Sequence, residues 1–414
     1  MANNVFVKIP ERGDACIGRL SDKKLFYIKA DTLVTSELDK SEWEVQGVVS
    51  HREGKRVTVV GLNNSGNIAF CDRVWYYLSG YTLDGAEHTI VLAIPTKANW
   101  NKQVEKTITY TANTVEEFID ALNTAFAADA DFTDQDWYAD LMADGRVRVH
   151  YVFAIFNNND FTVKSGIIKT QSFPECIYFS KFTRKSGYVN GMGAIAFWFR
   201  ALKYYREDNG YGQAQGGLTT EQSNPKQQFP INLPTWNATS AKNPGDFCKA
   251  LRDVYGAGEA GWLRFMRSCM PVSNTDNGAM CGDGIKLGKQ IASLTYTSRK
   301  VAEPKYMCPA SGWCGSYSTS CLPAGSWYLP APKELFSIFR GVALRDEPQD
   351  ILSKTLAAVG GQKLNLGDSY HSCVKGSSDR DFAINYNFGI FYIWRMYDKN
   401  GKALAISQQT LKFD

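Results

Sequence analysis

Apolar and polar residues alternate through the first eighty positions. Val5, Val7 and Ile9 are separated by polar or aromatic neighbours, Leu25 to Ile28 is a short apolar run, and Trp43, Val45 and Val49 lead through Arg52-Glu53-Gly54-Lys55 to Val57 and Val59. A period of two turns one face of each segment inward, and a glycine between two such runs suits a hairpin turn. Residues 1–80 are therefore expected to form a small β domain, a barrel or sandwich of about five or six strands.

The period then changes. Thr107 to Tyr110 is strand-like, after which Thr114 and Glu117 have the spacing of a capping box opening a helix, with Val115, Phe118 and Leu122 on one face. Asp136 to Leu141 and Arg146 to Phe153 pair as a hairpin through Asp144-Gly145. Val147, Val149, Tyr151 and Phe153 form its apolar face, and Arg146, Arg148 and His150 form a polar face expected to be solvated. This predicts an α+β domain over 81–180.

Beyond residue 181 the chain is rich in Gly, Asn, Gln, Ser and aromatics. Asn209 to Pro244 lacks sustained periodicity and is longer than most loops of a compact domain, which marks a functional or subunit-contacting surface. Phe247, Leu251, Val254, Tyr255 and Trp262 lie at largely helical spacing within Asp246 to Met266, and a second helix begins at Pro332 with Leu335, Phe336 and Phe339 apolar. Strands are expected at Phe382 to Tyr386, Ile390 to Met396 and Ala403 to Ile406, the last two joined by a turn at Asp398 to Gly401. The expected class is α+β, β-rich.

Hydrophobic residues at 44% and charged residues at 21% of 414 argue against a disordered chain, while 13% aromatics with 35 glycines fit short strands and many turns. The net charge of +4 is spread without basic runs, so neither nucleic acid nor an anionic membrane surface is indicated. The first twelve residues lack the apolar core of a signal peptide, and no apolar run reaches the roughly 18 residues of a membrane span. Synthesis in the cytoplasm without membrane insertion is expected.

Ten cysteines are too sparse for a disulfide scaffold and read as reduced, buried side chains. Cys308, Cys314 and Cys321 share one Gly/Ser/Tyr-rich loop, but they lack the paired arms of a zinc site and have no nearby histidine, so loop packing is expected rather than metal binding. His51, His88, His150 and His371 are far apart and fall in no nucleophile or metal motif. A phosphate loop ending at Gly288-Lys289 would need glycine at Asp283 and Ser or Thr at Gln290, so Gly282 to Lys289 reads as a surface turn. Glu116 and Glu117 fall at a helix start and Asp129 and Asp131 in a polar loop, as solvation and helix-dipole complementarity explain. No enzyme, metal or cofactor is expected. Trp236, Trp313 and Tyr317 in Gly/Ser/Asn loops are the candidate ligand-binding residues: they either stack on sugars or anchor a protein partner, or they pack the loops onto the domain.

Gly325-Ser326-Trp327-Tyr328-Leu329-Pro330-Ala331-Pro332-Lys333-Glu334-Leu335 resembles the Gly-x-Trp-x-Leu-Pro-x-x-x-Glu-Leu signature of C-type-lectin-like domains in many Bacteroidetes and phage proteins. In that pattern a strand ends at Trp327 to Leu329, Pro330 breaks it and Pro332 opens a helix. Gly360-Gly361, Tyr370-His371-Ser372-Cys373 and the strands from Phe382 follow in the family's order, with His371 where tryptophan is usual and Cys373 and Val374 where a serine and an acidic residue commonly fall. The resemblance implies a C-type-lectin-like domain over 181–414. The Glu-Pro-Asn or Gln-Pro-Asp loop of calcium-dependent sugar binding is absent, and only Cys373 stands where the oxidase of this fold needs a cysteine pair.

Gly13-Asp14-Ala15-Cys16-Ile17-Gly18, Trp43 to Val49, Gly54-Lys55-Arg56-Val57 and Tyr81-Thr82-Leu83-Asp84-Gly85 resemble the opening of fibre-like virion proteins of Bacteroides-infecting, crAss-like tailed phages. That likeness implies a structural virion protein, a head or tail fibre subunit at the virion surface. Residues 1–80 would dock on other virion proteins, and the lectin-like domain would meet a host-surface glycan or protein. By analogy with such fibres a homotrimer is expected, with contacts through 209–244 and the neighbouring Phe197, Trp198, Phe199, Tyr204 and Tyr205. The alternative is a bacterial surface adhesin of the same fold, which would require export.

Overall fold

The hairpin expected at Gly54 forms. β1 (Ala15–Arg19) pairs with β2 (Leu25–Ile28) and with β3 (Trp43–Glu53), and β3 turns at Gly54, φ +59°, into β4 (Arg56–Ile68). A left-handed φ is adopted by glycine without the steric cost other residues meet. In the computed structural model the described residues are 3–71, 73–96, 103–152, 161–165, 167–171, 285–331, 334, 335, 338, 351–364, 368–377, 380–385, 390–395 and 401–412. Trp236, the 197–205 aromatics, the 209–244 stretch, the 246–266 helix and the 398–400 part of the last turn lie outside them.

Residues 73–171 build two further sheets. β5 (Arg73–Ser79), β8 (Tyr138–Leu141), β9 (Val147–Val152) and β11 (Ile168–Gln171) form a four-stranded sheet in the order β11-β5-β9-β8. β6 (Glu87–Pro95), β7 (Gln103–Thr111) and β10 (Thr162–Ser165) form a three-stranded one in the order β10-β6-β7. The capping box forms at α1 (Val115–Ala128): Thr114 Oγ1 accepts Glu117 N–H at 3.2 Å, and the Glu117 carboxylate reaches back to Asn113 N–H at 2.6 Å. Phe118, Ile119, Leu122 and Phe126 are its buried face. The short α2 (Ala130–Thr133) follows. Trp137 stacks on Tyr151 with ring centroids 4.1 Å apart, and Phe126, Phe132 and Phe161 surround the pair.

The later described elements are α3 (Ile285–Ala292), a two-stranded hairpin of β12 (Thr295–Ser298) and β13 (Val301–Tyr306), α4 (Pro309–Ser316), α5 (Ile351–Ala358), and the strands β14 (Ser369–Ser377), β15 (Arg380–Asn385), β16 (Ile390–Arg395) and β17 (Gly401–Thr410). β14, β15 and β16 are antiparallel neighbours, whereas β17 runs parallel to β14 and antiparallel to β4. The result is one eight-stranded sheet in the order β16-β15-β14-β17-β4-β3-β1-β2.

This topology revises the expected partition. Strands from 1–80 and from 181–414 share a sheet through β4 and β17, so they are not separate β units, and β5 belongs to the sheet built by 138–171. A continuous buried core runs from Val48 and Val60 through Tyr151 to Leu329 and Ile406. The class is α+β and β-rich, as expected.

Four local readings change as well. Val5 to Ile9 contributes an isolated bridge from Phe6 to Ile28 rather than a strand, and the Trp327 to Leu329 segment likewise bridges only from Tyr328 to Ile406. Gly288 and Lys289 lie within α3, where the glycine lets the helix approach the Leu329 carbonyl, and not in a surface turn. Arg148 and His150 are buried rather than solvated because β12 covers that face of β9.

Candidate functional site

Of the three aromatic candidates, the structure brings Trp313 and Tyr317 together. α4 begins with Pro309 at its first turn, where the missing N–H costs nothing, and Tyr317 caps its end four residues after Trp313. The two rings lie 5.4 Å apart, and Tyr317 meets Trp327 edge-on at 4.8 Å. The Tyr317 hydroxyl accepts Leu62 N–H at 3.0 Å, and its ring lies over Gly61, where a β-carbon would come within 3.0 Å. Burial pushes its phenol above the ordinary value. Both side chains are half-buried against the core. The arrangement packs both rings against the core and joins the Trp327 motif to β4.

The same motif has its own internal logic. Trp327 Nε1 donates to Leu322 O at 3.0 Å, which satisfies the indole inside the core. Glu334 is buried, and its carboxylate accepts the Tyr328 hydroxyl at 2.6 Å, Ala331 N–H at 2.8 Å and Gln408 Nε2 at 3.0 Å. A buried carboxylate needs such donors, and here they come from Tyr328 and Ala331, on either side of Pro330, and from β17. Cys373 N–H donates to Pro330 O at 2.9 Å, so β14 also docks on the motif. His371 is buried, with Nε2 2.9 Å from Ile68 O and Gly401 packed against its ring; it ties β14 to the end of β4.

A third feature is an aromatic patch at the β2 edge. Phe6 lies 6.1 Å from Phe26 and 5.7 Å from Trp43, Phe26 meets Trp43 at 5.2 Å, and the Arg19 guanidinium stands 5.1 Å from the Phe26 ring. Val7 N–H donates to Tyr27 O and Lys29 N–H to Val5 O, so the N-terminal segment is laid along β2. Val5, Phe6 and Ile9 are nevertheless 49%, 42% and 53% exposed. Burying only part of such side chains leaves apolar area in water.

The fourth is a buried polar cluster between β5, β8, β9 and β12, which sequence reasoning missed. Arg73, Asp136, Arg148 and His150 are each at most 3% exposed. Arg73 pairs with the Asp136 carboxylate and donates from Nη1 to Asp136 O at 2.9 Å and to His150 Nδ1 at 3.2 Å. Arg148 forms a two-pronged pair with Asp140, its Nε 2.8 Å from Oδ1. His150 Nε2 faces Asp140 Oδ2 at 3.6 Å, too far for a hydrogen bond. Asp136 holds a left-handed φ of +51°, a conformation an aspartate tolerates and one that clusters at constrained sites. The signal available in the sequence was Arg148 standing in register with Asp140 across the hairpin.

Cys16, Cys71, Cys308, Cys314, Cys321 and Cys373 are buried free thiols, as expected, and Cys321 packs against Gly18. Asp129 and Asp131 are not simply solvated: both pair with Lys106, at 2.7 and 2.6 Å. Comparison with protein-family models, curated proteins and solved structures finds no match to the chain.

Proposed function

We propose that the chain is a structural protein of a tailed-phage virion, a head or tail fibre subunit that docks through its N-terminal edge and displays a C-type-lectin-like C-terminal half towards a host-surface glycan or protein. The observation that carries the docking half of this reading is the exposed run Val5, Phe6 and Ile9 set beside the Phe26 and Trp43 rings at the β2 edge. Exposed apolar residues beside an aromatic cluster match the apolar, aromatic-enriched centre of protein-contacting surfaces. The display half is supported by the Trp327 to Leu335 motif and by the order in which α5, the Gly360 turn and β14 to β17 follow it.

The shared sheet decides how docking is tested. Deleting residues 1–80 would remove β4 from beside β17, so substitution is the usable perturbation. A Val5→Ser, Phe6→Ser, Ile9→Ser variant should keep its melting temperature yet be depleted from purified particles of the encoding phage, measured as copies per virion by quantitative mass spectrometry. Normal incorporation of that folded variant would refute the docking surface. Glycan-array binding by the full chain tests the display half separately.

A further inference from the structure

The β12–β13 hairpin pairs with no other strand among the described residues. A two-stranded ribbon is marginal in water and must be held by what it docks on. Its inner residues Tyr296 and Ser298 are buried, while Ala302 to Tyr306 of β13 are exposed. What they dock on is the polar cluster. Ser298 Oγ donates to Asp136 Oδ2 at 2.8 Å, Arg148 Nη2 donates to Thr295 O at 3.0 Å, and the Arg73 guanidinium lies 4.2 Å from the centre of the Tyr296 ring, which also meets His150 at 5.5 Å.

The cluster admits one protonation state of its histidine. A guanidinium has donors and no acceptor, so the Arg73 bond requires a lone pair on His150 Nδ1. The ring proton is thereby placed on Nε2, towards Asp140. The groups facing the imidazole are Arg73 from β5, Asp136 from the turn before β8, Tyr138 and Asp140 from β8, Arg148 from β9, and Tyr296 from β12. Two guanidiniums and two carboxylates cancel, and a proton on Nδ1 would add one uncompensated charge in the interior and set N–H against N–H. We propose that His150 is an acid-sensitive latch: while neutral it holds Arg73 in place to clamp the β12–β13 hairpin, and protonation breaks the Arg73 bond and releases the hairpin from the four-stranded sheet. The step takes one proton from hydronium, breaking its O–H bond and forming the Nδ1–H bond of the imidazolium, with no change of oxidation state. It is independent of what the N-terminal edge docks on.

The direction agrees with the environment, since burial, followed by repulsion from Arg73 and Arg148, outweighs Asp140 and depresses His150 below its ordinary value of 6.5. A histidine depressed in the closed state gains its proton on opening. Between the closed-state and open-state values, opening then becomes about tenfold more favourable for each unit of falling pH.

Hydrogen exchange of the full chain from about pH 7.5 to about pH 4.5, corrected for intrinsic rates, tests this. The expected result is a loss of protection in Thr295–Ser298 and Val301–Tyr306 that follows that slope below about 6.5 while Val48 and Val60 in β3 and β4 keep theirs. His150→Asn should remove the pH step. If that variant does not fold, the wild-type ring is followed by NMR: the Nε2–H tautomer at neutral pH and titration coincident with hairpin release are expected. Unchanged hairpin protection across the range, loss of protection in all strands together, a pH step retained in His150→Asn, or a ring that titrates while the hairpin stays closed would each overturn the latch.

Discussion

Tyr328 donates its hydroxyl to Glu334 across 2.6 Å, and both side chains are buried. A phenol next to a carboxylate in the interior is a charge-assisted hydrogen bond, and the carboxylate is held between two segments that flank Pro330. Tyr328→Phe should lower stability by about 1.5–3 kcal/mol, seen as a shifted denaturant midpoint with an unchanged slope. Glu334→Ala should cost more, because it strands the Ala331 N–H and Gln408 donors as well.

Tyr317→Phe separates packing from ligand stacking. The variant keeps the aromatic face and loses the acceptor for Leu62 N–H, so a loss of about 1–3 kcal/mol in chemical denaturation is expected with any sugar stacking intact. Equal stability would return the hydroxyl to a role outside the fold.

Asp140, like His150, is depressed by its surroundings, so acidification costs stability through both, at lower pH for the carboxylate. Burial alone would raise it, but Arg148 and the His150 ring outweigh burial and hold it below its ordinary value of 3.8. A carboxylate depressed by folding contributes stability that is complete above the unfolded value and lost as pH falls through the folded one. Thermal melts of Asp140→Asn should therefore be flatter than wild type below about pH 4.

The buried thiols should be silent. Burial raises Cys16 and Cys314 above the ordinary thiol value, so little thiolate is present at neutral pH. Iodoacetamide followed by peptide mapping should leave these two unmodified in native protein and label them after unfolding. Rapid labelling of either in the native state would contradict its burial.

What was legible in the sequence is what is local. Gly54 and Gly145, both at positive φ, stand between the paired runs they were expected to join, and Thr114 with Glu117 marked the start of α1 within its capping box. The place of β17 was not legible, because no local pattern states that Ile406 faces Val60. His150 and Arg148 were misread for a related reason: alternation distinguishes two faces of β9, but not a polar face covered by Tyr296 from one left in water. The Trp327 motif announced a strand end at Pro330 and a helix start at Pro332, yet not that Glu334 would accept a hydrogen bond from Gln408 on β17.

The position of β17 has a consequence for how the chain is made. β4 is complete when Ile68 has been synthesised, but the strand that covers its free edge begins at Gly401. At about 5–20 residues per second, that edge waits tens of seconds for its partner. During that interval β1 to β4 present an unpaired row of backbone donors and acceptors, a template for pairing with another nascent chain. Productive folding on the ribosome thus depends on keeping neighbouring chains apart until β17 arrives, and truncation before Gly401 should yield aggregates rather than a shorter soluble protein.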